Sequence, residues 1–481
     1  MNSRRRIGIA GGLGPLASED TFSKLVQQVP AARDKDRPEI IIEHQAVDDK
    51  RAVADKRFDF SGRKIRDFDT IRALEQQNLA AVLLPCFISH TFIDELESSV
   101  RVPIINLMEA LTAFLSQQYP GVRRVGVLTS NHVRERKLFE KHFDKDSYEL
   151  IYPSSRVQNE CLMEAIYGPQ GIMAGYLQGE VVKLIRQACL ELSDRGAELI
   201  IPGFTEIPAI INSLQELVDI PLIDSNGVYA QFALDSDPVA RPRAFKVGIV
   251  GGVGPSATAD LLQKIVICTP AEKDQDHIKM IVEHDPQIPD RTEHLLGHGP
   301  DPTIALYAAC KRLEEGGASL IAIPCNTAHA YVESMQQYLS IPIVNMLFET
   351  VEHLKRHHPD VKKLALLATS GTVASRIYHR AFEGSAYDLL LPDDEHQETL
   401  MEVIYGPRGI KAGYNDGKCV QGFYEVLTHM AEQGAEVIIL GCTELPLLEP
   451  EFRKWNATEK RIVFVDPTSV LAKKCVEKHV T

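Results

Sequence analysis

A run of sequence that returns in register along one chain commits both copies to one fold, because each copy must bury the same apolar positions. The 481-residue chain does this from end to end. IGIAGGLGP from Ile7 returns as VGIVGGVGP from Val247, 240 residues on. LLPC ending at Cys86 returns as AIPC ending at Cys325, and PIIN from Pro103 as PIVN from Pro342, each 239 residues on. YGPQGIMAGY from Tyr167 and GFTEIP from Gly203 return 238 residues on, as YGPRGIKAGY from Tyr405 and GCTELP from Gly441. The spacing predicts one unit written twice, residues 1–236 and 246–481. The polar stretch DSDPVARPRA, Asp235 to Ala244, reads as the linker, covering about residues 235–245.

Within the second unit, KVGIVG, KMIVEH, SLIAIP, IPIVNM, KLALLAT, EVIILG and RIVFVD read as strands. Between them Ala305–Glu315, Ala328–Tyr338, Gly371–Phe382 and Gln421–Gln433 are long enough for helices. Near-continuous apolar strands separated by helices predict α/β structure, parallel sheets covered on both faces. Ligands in such sheets bind beyond the carboxyl ends of the strands. The residues that follow each strand therefore carry the functional information.

Composition removes several classes. With 52 basic and 66 acidic residues the net charge is −14, which argues against a nucleic-acid partner or an anionic membrane surface. No apolar run approaches the roughly 18 residues of a membrane span. Arg4-Arg5-Arg6 before an apolar run resembles an export signal, but the same pattern recurs mid-chain at Phe245-Lys246, so it reads as a buried first strand and its turn. Nine cysteines without a CxxC pair fit a reducing cytoplasm, not a disulfide scaffold or a zinc site.

Two of those cysteines stand directly after strands, Cys325 in IPCNTAH and Cys442 in LGCTELP. If each opens a helix, the helix N-terminus lowers its thiol pKa and presents N–H groups to a carboxylate. Asn326, Thr327 and Thr443 add side-chain donors. Inversion at a carbon next to a carboxylate needs a base on one face and an acid on the other, and a thiolate/thiol pair supplies both. A cysteine hydrolase with His329 as base is a competing reading. So is a dinucleotide-binding protein. Gly252, Gly254 and Ala257 fit G-x-G-x-x-A after a strand, with Glu283 ending the next strand, and Gly12, Gly14, Ala17 and Glu43 repeat the pattern.

GGVGP, PCNTAH and GCTE together resemble the motifs of the aspartate/glutamate racemase superfamily, the two-cysteine amino-acid racemases, over the whole of each unit. The resemblance implies a tandem duplication of an aspartate racemase-like unit with two α/β lobes, each a parallel sheet with helices on both faces. It implies one cysteine per lobe, the substrate between them, and no cofactor or metal. The GGVGP turn, where glutamate racemases have Asp-Ser-Gly, and Glu444 after Thr443, where they have histidine, favour the aspartate branch. PQIPDRT puts Arg291 where a substrate side-chain carboxylate would be held, a task that suits a guanidinium fork. Lys411 in GIKAG matches another charged position of that branch, and Gly252, Asn326, Thr327, Thr369, Thr443 and Glu444 complete the implied substrate-binding set. The implied reaction interconverts L- and D-aspartate, with glutamate the other acidic candidate. Cys442 would face the Cα–H of the L-enantiomer and Cys325 that of the D-enantiomer. Hydantoin racemases, maleate isomerases and arylmalonate decarboxylases are similar in architecture, and a non-catalytic amino-acid sensor is the reading outside enzymes.

The first unit departs from the pattern. Cys86 is retained, but Phe204 takes the place of Cys442, Phe87 and Ile88 those of Asn326 and Thr327, and Met173 that of Lys411. Arg51 aligns with Arg291 behind an altered loop, AVDDK in place of PQIPD. These changes predict a catalytically silent unit that keeps the fold and serves as a built-in partner, giving an intramolecular pseudo-dimer with one working site.

Overall fold

The computed structural model describes residues 5–11, 14–29, 37–45, 60–238, 244–458 and 462–480. Gly12, the AVDDK loop, Arg51 and the centre of the linker lie outside these residues. The chain divides into two compact units, Met1–Arg243 and Ala244–Thr481.

Each unit has two parallel sheets, one per lobe. In the first unit, β1 (Arg6–Gly11), β2 (Glu39–His44), β3 (Ala81–Leu83) and β4 (Ile104–Ile105) pair in the order β2-β1-β3-β4. Its second lobe holds β5 (Arg124–Thr129), β6 (Glu149–Ile151) and β7 (Leu199–Gly203) in the order β6-β5-β7, with a parallel bridge from Ile200 to Leu222 at the far edge. The second unit repeats the arrangement. Its first lobe contains β8 (Lys246–Gly251), β9 (Lys279–His284), β10 (Leu320–Ala322) and β11 (Ile343–Val344), ordered β11-β10-β8-β9. Its second contains β12 (Lys363–Leu367), β13 (Asp388–Leu390), β14 (Val437–Leu440) and β15 (Val463–Val465), ordered β13-β12-β14-β15. All the strand pairs are parallel. The α/β reading from the strand pattern holds in every lobe.

The repeated motifs are working parts of this fold. Asn345, which ends PIVN, caps the helix Met346–His357 by accepting from the Leu347 and Phe348 amides, and Asn106 does the same for Leu107–Gln118. The final helix of the second unit, Pro467–Val480, crosses back onto the first-lobe helix Pro255–Cys268, where Lys264 meets Asp466 at 2.6 Å. Lys24 meets Asp224 at 2.6 Å at the matching place in the first unit.

Two of the four helices expected from sequence are broken. Gly371–Phe382 divides into Ser370–Ala374 and Ile377–Ala381 because Arg376 takes a left-handed φ of 54°. Lys137 does the same at 53° in the first unit. Ala328–Tyr338 divides into a 3-10 turn, Thr327–Ala330, and the short helix Val332–Gln336. The change of repeat offset from 239 to 238 also has a structural cause. Between Gln158 and Cys161 the first unit carries one residue more than the second does between Gln397 and Thr399. The extra residue is absorbed as the π-helical stretch Gln158–Met163, where the second unit has the regular helix Asp394–Tyr405.

The GGVGP turn is constrained at both inner glycines. Gly252 has φ +88°, and a Cβ there would lie 2.3 Å from the Asp285 carbonyl carbon, a backbone atom that cannot yield cheaply. Gly252→Ala should therefore destabilise the second unit by about 2–4 kcal/mol, the strain of a left-handed residue plus a clash. Urea unfolding of the variant, followed by far-UV circular dichroism, measures this.

Candidate active site

Cys325 and Cys442 follow the central strands β10 and β14, so the two lobes of the second unit bring one thiol each to a shared cleft. Arg291, Asn326, Thr327, Thr369, Lys411, Thr443 and Glu444 line the same cleft. Gly252 does not; its neighbour Val253 does. The clustering brings in three residues that sequence reading missed, Thr292, Tyr405 and Thr372. Tyr405 stood in view inside the repeated YGP motif.

The two thiols have opposite electrostatic neighbours. Arg291, 6% exposed, is pulled toward neutrality by burial, but the Cys325 sulfur beside it and Asp290 outweigh that and hold the guanidinium charged. On the other side the Cys442 sulfur donates to Glu444 Oε2 at 3.0 Å. Burial first, and the Glu444 carboxylate second, push the Cys442 thiol well above its ordinary range against the pull of Lys411. Lys411 reaches Glu444 Oε1 at 3.0 Å and lies 5.0 Å above the Tyr405 ring. That pairing, with Cys442 and Tyr405, overcomes burial and keeps the ammonium protonated. Glu444 in turn presses on Gly254, where a Cβ would come within 2.5 Å of Oε1.

Neutral hydrogen bonds set the rest. The hydroxyls of Thr292, Thr327, Thr369 and Thr372 form one buried network with oxygen separations of 2.7 to 3.2 Å. Tyr378 donates to Asn326 Oδ1 at 2.6 Å, which fixes the amide so that its nitrogen is the free end. That nitrogen and Arg291 Nε are buried and unpaired within the protein. Buried donors are almost always satisfied, so both are available to an acceptor in the cleft.

Three sequence expectations change here. The turns after the cysteines are not α-helix N-termini but short 3-10 segments, Thr327–Ala330 and Leu445–Leu448, so no helix dipole lowers the Cys442 thiol. His329 is not placed as a hydrolase base. Its Nε2 accepts from the Met346 amide at 3.2 Å, leaving Nδ1 to donate to the Cys325 carbonyl at 2.9 Å, and burial lowers its pKa. His90 makes the same two bonds in the first unit, so the imidazole is a brace. The glycine-rich turn does not offer a phosphate cradle either: the Glu444 carboxylate occupies its face, and Glu283 is paired with Arg312 at 2.7 Å.

The profile of the Asp/Glu/Hydantoin racemase family matches residues 10–233 and again 250–475. The chain belongs to that family, in two tandem copies. A broad specificity amino-acid racemase, RacX, from Bacillus subtilis (strain 168) is 29% identical over 239 residues, 48% of this chain and 97% of that protein. Among solved structures, the aspartate racemase of Picrophilus torridus is 28% identical with a TM-score of 0.43, covering 49% of this chain and 94% of its own. An aspartate racemase homologue from Pyrococcus horikoshii OT3 is 24% identical with a TM-score of 0.40, covering 49% and 99%.

The corresponding cleft of the first racemase-family unit is rebuilt around apolar contacts. Phe87 stacks on Phe139, centroids 5.6 Å apart, where Asn326 and Tyr378 hydrogen bond in the second unit. Ile88 and Val133 replace Thr327 and Thr372, and Phe204 meets Tyr167 edge to face at 6.1 Å. The cleft is not without charge, however. Arg63, on the helix Phe60–Glu75, is 2% exposed, pairs with Asp67 at 3.0 Å and donates to Ser89 Oγ at 3.0 Å. It acts electrostatically on Cys86 and Glu206. The sequence reading, which expected a more apolar cleft, did not single out this residue; Pro302 stands at the aligned position of the second unit.

With Met173 in the lysine position, burial raises the Glu206 carboxyl from 4.5 to about 7. The folded state then binds a proton that the unfolded chain has released, so this contribution to stability is complete below pH 4.5 and is lost as pH rises through about 7. The loss amounts to up to about 3 kcal/mol. Glu206→Gln should flatten the decline of unfolding free energy across that window, read from urea titrations at successive pH values.

Proposed function

We propose that the second unit is the catalytic one and racemises an acidic amino acid, aspartate first, by proton transfer between Cys325 and Cys442. The observation that carries this reading is the pair of thiols in one cleft with a guanidinium beside one sulfur and a carboxylate beside the other. The Arg291 guanidinium lies beside the Cys325 sulfur, whereas burial and then Glu444 favour the thiol on Cys442. In the D-to-L direction the Cys325 thiolate takes the proton from Cα, and Cys442 delivers its own to the opposite face. Cys442 is then the thiolate and Cys325 the thiol, and the reverse reaction runs from that state. Asn326 Nδ2 supplies a donor for the α-carboxylate, whose negative charge grows as the Cα proton leaves, and Arg291 Nε one for the side-chain carboxylate. The protein's own groups account for both proton transfers, so the reading calls for no added cofactor. The chemistry and the acidic composition fit a cytoplasmic enzyme.

A second reading has one observation in its favour. Lys411 is already paired with Glu444 at 3.0 Å, whereas Arg291 keeps a buried Nε without a partner. One free cation suits one carboxylate, which favours wider amino-acid specificity of the kind named for the Bacillus subtilis relative.

Incubation with L-aspartate, L-glutamate, L-alanine and L-lysine in heavy water, followed by chiral analysis, separates the two. Aspartate should racemise fastest with deuterium entering Cα, whereas equal rates on neutral amino acids would establish the broader enzyme. Cys325→Ala and Cys442→Ala should each lower turnover by at least about 100-fold, the loss of one acid/base group. Cys86→Ala should leave it unchanged; a large loss in a folded Cys86→Ala protein would reject the assignment of catalysis to the second unit.

A further inference from the structure

Away from the cleft, three metal-ligating side chains of the second unit meet where the helices Asp394–Tyr405 and Gly417–Glu432 lie side by side. Asp393 precedes the first helix and caps it, with Oδ1 3.0 Å from the His396 amide and 2.7 Å from His396 Nδ1. His429, on the second helix, brings Nε2 to 3.5 Å from Asp393 Oδ2. The imidazoles lie face to face, centroids 3.7 Å apart and planes 13° from parallel. One ligand atom from each of the three residues falls within 4.8 Å of the others. Gln433, one turn beyond His429, sets its amide 2.7 Å from the same Nε2.

The duplication provides an internal control. At these positions the first unit has Ser154, Val157 and Glu191. There the same junction is fastened by a hydrogen bond from the Ser154 amide to Glu191 Oε1, at 3.1 Å. The fold therefore does not require two histidines and an aspartate at this junction. To ligate one ion the two rings must turn out of this stack, so that each points an in-plane nitrogen lone pair at it.

We infer that Asp393, His396 and His429 form a binding site for a divalent transition-metal ion of the zinc type. Two imidazole nitrogens and one carboxylate match zinc, nickel or copper, whereas magnesium and calcium require oxygen donors. The histidines are partly exposed, 26% and 15%, so an ion can enter and water can complete its shell. Rotation of the Gln433 amide would turn its oxygen toward the ion as a further ligand. The ion would clip the start of one helix to its neighbour. The clipped helix ends at Tyr405, a residue of the cleft. The consequence is a more stable helix pair, independent of the proposed reaction.

The test uses the full chain, stripped with a chelator and titrated separately with Co²⁺ and Zn²⁺. Cobalt should give a visible ligand-field band without the near-ultraviolet thiolate band that Cys325 or Cys442 would add. Zinc should raise the melting temperature. Asp393→Ser/His396→Val/His429→Glu, which rebuilds the first unit's fastening, should weaken binding by at least about tenfold. It should also abolish the zinc-dependent shift while keeping the metal-free melting temperature. His429→Gln should do the same if the triple change perturbs folding. Undiminished binding in these variants, or a cobalt spectrum carrying only thiolate bands, would overturn the site.

Discussion

A carboxyl group is buried at the same turn in both units, Glu206 in the first and Glu444 in the second, and each cleft is organised by how that group is neutralised. Leaving a buried charge without its partner costs about 3–5 kcal/mol, comparable to a large share of a domain's stability. The second unit meets the constraint with Lys411. An ionised Glu444 then sits against Cys442 and keeps that sulfur protonated. The first unit has Met173 instead, and its carboxyl takes up a proton more readily. A neutral carboxyl tolerates the aromatic ring of Phe204 next to it, whereas an ionised one would not.

The remaining differences between the clefts come in compensated pairs. Asn326 and Tyr378 satisfy one another, and Phe87 and Phe139 stack in the same places. Changing only one member would bury an unsatisfied polar group at a cost of about 1–3 kcal/mol. Thr327 and Thr372 against Ile88 and Val133 follow the same logic. The first cleft is thus relined by coordinated substitution. Among the described residues, Arg63 is held by its own carboxylate, Asp67, four residues along the same helix.

Most of this was legible because the chain carries its own comparison. The repeat offsets located both units, the strand-end rule pointed to Cys325, Cys442, Asn326, Thr327 and Thr443, and the family resemblance added Glu444; all six line the cleft. Arg63 was not legible, since the aligned Pro302 gives the repeat no like residue to compare. The helix breaks were hidden because Arg376 and Lys137 take a left-handed conformation that their side chains do not advertise. The Cys442 environment was misread for a different reason. The expectation treated the turn as a helix N-terminus and gave no weight to a carboxylate two residues along the chain. A short 3-10 turn folds that carboxylate back onto the sulfur, where its negative charge and the burial of the site act in the same direction.

That fold-back has a consequence for the proposed racemisation. A two-thiol enzyme with equivalent cysteines has two free forms of equal energy, one for each enantiomer. Here the form with the thiolate on Cys442 sets two negative groups side by side, and the form with it on Cys325 sets a sulfur beside a guanidinium. Burial and the Glu444 carboxylate make the first of these the costlier. In the proposed reaction a D-to-L turnover would leave the enzyme in the disfavoured form, and Cys325 would have to give up a proton and Cys442 take one before the next D-substrate is processed. Lys411 moderates the difference because its ammonium faces Glu444 and acts on Cys442 as well. Without that ammonium the Cys442 thiolate would be costlier still, and L-substrate would find almost no competent enzyme. In the proposed reaction the lysine that pairs with a buried carboxylate would also keep both directions open.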